Sequence, residues 1–383
     1  PSCPIHSGPY SSVGSRLRMP SRSRTRPKTQ YGRVYNGSWS VASRTVTDTC
    51  QDVIGDYGNR HTFDSVQFER VEGGLYTEDV SASLKFESVP CAVSFTSAPG
   101  FNANSYMAKL LAMSGPLTPR LYLPVSLYEL KDLPSMLRHA GDLLHKISRP
   151  SGLNPVKEAA AANLAYQFGW KPLIEDIGKL LDFTDVVAKR QRILRGAHSS
   201  KGIRRKVTLD RFRNAASSSI LVYSSFGRNL RPESTRYFDR EVWGTIRWIV
   251  KDQSQIGKTP TFVDAFRTAY GLNLGHIPIE IWKALPWSWM IDWFVNISDV
   301  LQANYNMIYY KPSGACIMCK DTFTTQNNAI YKGVKVIYTP AYYVMVNRRR
   351  FLPSVNNLLT IKLPFLDNFK LSILGSLAVT RLL

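Results

Sequence analysis

Acid is what this sequence has least of. Asp and Glu number 28 against 49 Lys and Arg, for a formal net charge of +21. Self-repulsion at that level asks for a polyanionic partner, nucleic acid ahead of an anionic membrane. Cysteine is scarce as well. The five, Cys3, Cys50, Cys91, Cys316 and Cys319, are odd in number, and PSCPIHSGPY has no apolar core of a secretory leader. Both facts argue against a disulfide framework. Long apolar runs are missing too. The most apolar window, IPIEIWKALPWSWMIDWFVNISDVL, is interrupted by Glu280, Lys283, Pro286 and Asp292. The final FKLSILGSLAVTRLL is too short for a bilayer and carries Arg381. The expectation is a soluble chain made in the cytoplasm with no membrane span.

Catalytic patterns are also lacking. His6, His61, His139, His145, His198 and His276 are scattered, with no HExxH. There is no Walker A loop, Gly-x-Ser-x-Gly, dinucleotide fingerprint or Gly-Asp-Asp. Cys316-Ile-Met-Cys319 is at most half a zinc site, because a structural zinc needs four ligands. The pair reads as two buried or free thiols. Glu175 and Asp176 read as first-turn charges favoured by a helix dipole. No cofactor, metal or catalytic set is expected, and the chain reads as a binder.

What is present is a 383-residue chain, 44% hydrophobic and 11% aromatic. That is enough to bury a sizeable core, which excludes a disordered protein. Its bases are concentrated in two places. SRLRMPSRSRTRPK holds Arg16, Arg18, Arg22, Arg24, Arg26 and Lys28 with no acid. The span 189–213 holds Lys189, Arg190, Arg192, Arg195, Lys201, Arg204, Arg205, Lys206, Arg211 and Arg213 against Asp210 alone. On a helix, Lys189, Arg192 and Arg195 fall on adjoining positions, and the residues after them alternate as a strand does. This second span is the favoured phosphate-contacting surface. Arg348, Arg349 and Arg350 form a smaller candidate.

The hydrophobic pattern changes period several times. Residues 1–30 read as a basic flexible arm. Residues 31–120 and 198–255 alternate in short runs and read as antiparallel sheet. Residues 121–197 and 258–310 repeat at helical spacing, the latter as a helix in TPTFVDAFRTAYGL followed by one long apolar region, PIEIWKALPWSWMIDWFVNISDVLQANYN, kinked at Pro286. Residues 314–350 read as further strands and 364–383 as a C-terminal helix. Strands and helices segregate, with no βαβ alternation, so the fold class is α+β: a helical bundle and a sheet region interleaved in sequence. Within NLAYQFGWKPLIEDIGKLL, Gly169 is suited to end one helix and Pro172 to begin the next, a hinge between packed helices. Asp292, a lone acid in an apolar helical run, must find a partner: an ion pair or hydrogen bond between helices is expected, with an Arg or Lys of the bundle the obvious candidate.

Two blocks carry a resemblance. The first is Gln167, Phe168, Gly169, Trp170, Pro172, Leu173, Asp176 and Ile177. The second, farther along, is Trp282, Pro286, Trp287, Trp289, Asp292 and Trp293. In their order and spacing the chain resembles the maturation proteins (A proteins) of the single-stranded RNA bacteriophages, the leviviruses. The resemblance implies an elongated molecule with an inner, RNA-facing helical part and an outer, pilus-facing sheet. It implies one copy per virion, taking a place among the coat proteins. Its partners would be the 3′ region of the genomic RNA, the coat protein and host pilin. The two blocks are expected to set helix packing and to touch no ligand. Three rival readings remain: a generic RNA-coating nucleoprotein, a lysis factor acting on the host envelope, and an RNA-processing enzyme with a cryptic site.

Overall fold

The computed structural model describes residues 21–36, 39–53, 61–72, 74–77, 84–89, 100–121, 160, 163–164, 166–167, 171, 175, 183–219, 223–225, 228–285, 288–332, 335–354, 358–360 and 368–382. The chain divides into two compact units. Unit 1 comprises Pro1–Thr96, Asn214–Phe238 and Asp321–Arg350, and unit 2 comprises Ser97–Arg213, Asp239–Lys320 and Phe351–Leu383. Both helices and an antiparallel sheet are present, so the class is α+β.

Unit 1 is built on strands. Strands β1 (Ser21–Asn36) and β2 (Trp39–Val53) pair antiparallel from Ser21↔Val53 to Tyr35↔Trp39. Strand β3 (Phe63–Glu72) pairs with β2. Short strands follow at β4 (Gly74–Thr77) and β5 (Leu84–Val89). Later segments add β6 (Ile203–Ser219), the hairpin β7 (Tyr223–Ser225) and β8 (Arg228–Leu230), β9 (Glu233–Val250), β10 (Tyr310–Asn327), β11 (Ile330–Lys332), β12 (Lys335–Tyr338) and β13 (Ala341–Phe351). The main sheet has the order β11-β12-β4-β5-β1-β2-β3-β13-β10-β9-β6. Strands β6, β9 and β10 are long enough to contribute residues to both units.

The expected arm therefore needs correction. Residues 21–30 belong to β1. Bases at every second position, Arg22, Arg24, Arg26 and Lys28, give β1 a strand period, and β2 supplies both the ladder and the acids. The first twenty residues lie outside the description.

Unit 2 holds the helices. Helix α1 (Met107–Ser114) lies inside the expected sheet region 31–120, a second correction. Its run MAKLLAMS is apolar nearly all round, so neither a period of two nor one of 3.6 stands out. It is buried on almost every side: Met107, Ala108, Leu110, Leu111, Ala112 and Ser114 are inaccessible to solvent or nearly so. Gly244 of β9 makes room for it, since a Cβ there would come within 2.5 Å of Leu110 Cδ1. Trp248 Nε1 donates to Ser114 Oγ at 3.0 Å.

Helix α2 (Phe183–Ala197) packs on α3 (Phe262–Ala269). A capping box starts α3: Asp264 N donates to Thr261 Oγ1 at 3.1 Å, and Thr261 N donates to Asp264 Oδ2 at 3.0 Å. The long apolar region is three helices, α4 (Ile277–Ala284), α5 (Ser288–Phe294) and α6 (Ile297–Tyr309). Leu285, which precedes Pro286, is extended at φ −71° and ψ 134°. A residue before proline is pushed to that region, so α4 stops there. Helix α7 (Asn368–Leu382) closes the chain, within the expected 364–383.

Inside unit 2, Asn306 of α6 is the polar key of the core. Fully buried, it donates to Leu111 O at 3.0 Å, Ala112 O at 3.3 Å and Thr118 Oγ1 at 3.0 Å. It thereby satisfies the end of α1, whose last carbonyls have no intrahelical partner.

Candidate nucleic-acid interface

Helix α2 sorts its residues by face. Val186, Val187, Leu194 and Ala197 are buried. Lys189, Arg192 and Arg195 are exposed, at i, i+3 and i+6. The chain then turns at Gly202, whose φ is +65°. A Cβ at Gly202 would lie 2.3 Å from Trp248 O, so only glycine passes there. Arg247 Nη1 donates to Lys201 O at 2.7 Å and holds the turn.

Strand β6 starts immediately after. Arg204, Lys206 and Thr208 are exposed, while Ile203, Arg205 and Val207 turn inward and Leu209 is buried. Strand alternation thus divides three consecutive bases between two faces. Lys206 Nζ sits 5.1 Å from the centre of the Trp243 ring, a cation–π contact that leaves its charge uncompensated. No ion pair or side-chain hydrogen bond joins Lys189, Arg192, Arg195, Lys201 or Arg204 to a described residue. Helix, turn and strand therefore present a continuous set of free cations.

Other expected phosphate contacts are otherwise engaged. Arg190 donates from Nη1 to Pro116 O at 2.6 Å and from Nη2 to Thr118 O. It anchors the segment after α1. Arg211 lies 3.6 Å from Glu241, and Arg213 Nε donates to Asp239 Oδ1 at 2.5 Å. These two stand in surface ion pairs. The bases of unit 1 have partners as well. Arg348 Nη2 meets Glu69 at 2.8 Å, and Arg349 Nη2 meets the buried Asp321 at 2.9 Å. Arg350 lies 3.2 Å from His61 and over the Phe63 ring. The Arg348–Arg350 run holds β13 to its neighbours. Sequence reasoning could not see these acids, because they come from other strands.

The family-motif blocks are only partly described. Phe168, Gly169, Trp170, Pro172, Leu173, Asp176, Ile177, Pro286 and Trp287 lie outside the described residues, and with them the proposed hinge. The described neighbours meet α7. Asn163 Nδ2 donates to Ser372 Oγ at 2.9 Å and Ser376 Oγ at 2.8 Å. Lys171 Nζ lies 5.9 Å from the Phe369 ring centre, and Lys370 Nζ lies 5.8 Å from that of Trp293. Gln167 is half-buried. Asp292 is held by hydrogen bonds between helices, as expected, though not by the Arg or Lys that was the obvious candidate. It accepts from Trp282 Nε1 at 3.2 Å, from Ser298 N at 3.1 Å and from Ser298 Oγ. A carboxylate at the start of α6 is stabilised by free amides and the helix dipole, so it needs no Arg or Lys.

Cys316 and Cys319 are buried free thiols, and Cys316 Sγ is 2.9 Å from Thr245 Oγ1. Among the described residues no group of three or more His, Cys, Asp and Glu could hold a metal. No described helix is long and apolar enough to cross a membrane. No protein-family model matches the sequence, and no curated protein matches it.

Proposed function

We propose that this chain is a maturation-type protein of an RNA phage: a minor virion component, not an enzyme. In this reading it binds the 3′ region of the genomic single-stranded RNA, takes one place in the coat and attaches the particle to a host pilus for genome entry. The elongated form, with a helical RNA-facing part and a sheet-rich pilus-facing part, belongs to the same proposal.

The observation that carries RNA binding is the unpaired set Lys189, Arg192, Arg195, Lys201 and Arg204 on α2, its turn and β6. Unpaired exposed cations are what a phosphate backbone engages, with release of counterions. Folded RNA would add recognition through shape and unpaired bases. The coat, pilus and virion roles are supported by the two motif blocks alone. The contact of Trp293 with Lys370 of α7, and the hydrogen bonds of Asp292 to Trp282 and Ser298, agree with a packing role for the second block.

The test is a salt titration of binding to two RNAs, the cognate 3′ segment and a scrambled control of equal length. The proposal expects tighter cognate binding at moderate salt, and a shallower salt slope in Arg192→Gln/Arg204→Gln. Equal, weak binding of both RNAs favours the generic nucleoprotein. Host lysis on expression of this chain alone favours a lysis factor, and metal-dependent turnover of RNA by the pure protein favours an enzyme.

A further inference from the structure

Arg205 is the odd member of the basic set. Strand alternation turns it inward, away from Arg204 and Lys206. There it lines a cavity of about 590 Å³ together with Arg120, Asp185, Lys189, Arg190 and Ile193. Its Nη1 is buried and has no hydrogen-bond partner. Arginine cannot relieve this by losing its proton at neutral pH, even though burial lowers its pKa. Arg205 as a whole is half-buried, and a cation with one donor buried and left without an acceptor carries a cost that an anion would relieve.

We propose that this cavity takes one backbone phosphate of the bound RNA, with the Arg205 guanidinium as its buried partner. The proposal rests on the RNA-binding reading above and gives that RNA a specific seat. Charge favours an anion, since four cations line the cavity against the single carboxylate of Asp185. Arg190 is committed to the carbonyls of Pro116 and Thr118, so it shapes the wall and leaves Arg205 the spare donors. The volume exceeds what a bare phosphate needs and leaves room for the attached sugar. Lys189 belongs both to the cavity lining and to the exposed stripe with Arg192 and Arg195. A strand following that stripe therefore reaches the cavity without leaving the basic surface. A guanidinium offers a phosphate two parallel donors, which a lysine does not.

The experiment uses the full chain, wild type and Arg205→Met, with the 3′ RNA segment over a range of salt concentrations and with melting followed in parallel. Losing one charge-assisted contact should weaken binding about tenfold. It should also make the log–log salt slope shallower by about 0.7, the single-strand value for one phosphate. Without RNA the melting temperature of Arg205→Met should stay level or rise, because an uncompensated buried charge has been removed. Arg205→Lys, which keeps the charge and loses the fork, should fold and fall between the two in affinity. Unchanged affinity and slope in Arg205→Met overturn the proposal, and so does a lowered melting temperature without RNA, which makes Arg205 a structural group. If wild type binds no RNA, the proposed function itself has failed. Inorganic phosphate is the probe in that case: a melting shift in wild type that Arg205→Met lacks reassigns the cavity to a small anion and removes RNA as its occupant.

Discussion

Strand β1 and the α2–β6 segment are equally rich in bases and use them in opposite ways. On β1, Arg22 stands opposite Asp52 in the ladder and meets it at 2.6 Å, with Arg24 3.0 Å from the same carboxylate. Lys28 meets Asp48 diagonally across the strands at 2.8 Å. The Arg22 hydrogen bond holds the Asp52 carboxyl below its ordinary pKa. On α2 and the first half of β6 no described neighbour forms an ion pair with Lys189, Arg192, Arg195, Lys201 or Arg204. Only at Arg211 and Arg213 do Glu241 and Asp239 appear. Base density along a sequence therefore does not locate a polyanion surface. Strand register does, because it decides which bases meet carboxylates.

The sharpest way to break this contrast is to remove charge on each side. Arg192→Gln/Arg195→Gln/Arg204→Gln should lower affinity for the 3′ RNA about 100-fold at ~0.1 M salt and flatten the salt slope by about two. Arg22→Gln/Arg24→Gln should change affinity less than about twofold in the same titration. Equal losses in the two variants would end the distinction.

Next in size are tests of the scaffold beneath the free cations. Asn306→Ala strands the carbonyls at the end of α1 and should cost about 2 kcal/mol in a denaturant melt. RNA affinity measured well below the melt should hold, which separates platform from contact. His276 adds a pH dependence to the same core. Fully buried against Tyr305, with ring centroids 4.0 Å apart, it has its pKa pulled down to about 4 by burial. Because its folded pKa is depressed, the unfolded chain takes up the proton first as pH falls. Stability is therefore full above pH ~6.5 and declines toward pH ~4, by about 3 kcal/mol. His276→Phe should flatten that decline in melts across the range.

Much of the fold was legible in the sequence, for identifiable reasons. The alternation in IRRKVTLDRFR and the apolar stripe of FTDVVAKRQRILRGA are local signals, and both elements form as read. The strand period of SRSRTRPK was masked by its composition, which reads as a disordered arm until β2 provides a partner. Helix α1 was missed because a helix buried on nearly every side has no amphipathic period. At the candidate site, the exposed stripe of α2 was readable from helical spacing alone. The commitments of Arg190, Arg213 and Arg349 were not, since Thr118, Asp239 and Asp321 approach from distant parts of the chain. Trp243 escaped notice for the same reason, as its ring meets Lys206 only once β9 lies beside β6.

Smaller effects come from making each region resemble the other. Ala188 is exposed and lies one turn before Arg192. Ala188→Glu gives that arginine the acid it lacks, in the favourable i, i+4 order. Helix stability should rise by about 0.3 kcal/mol, while RNA affinity falls about threefold.

The reverse exchange, Asp52→Asn, is the most delicate. It releases Arg22 and Arg24 from their shared carboxylate, so binding of the scrambled RNA should rise about twofold near pH 7. The wild type should converge on the variant only in acid. Asp52 has a depressed folded pKa, so its pairing is fully present above the ordinary carboxylate value and is lost as pH falls through the lower, folded one. Between pH 5 and 8 the difference between the two proteins should thus be constant, and it should vanish only in acid below the ordinary carboxylate range. A difference that instead varied near neutrality would mean that another group governs the charge of β1, and the carboxylates of β2 would no longer explain why that strand stays silent.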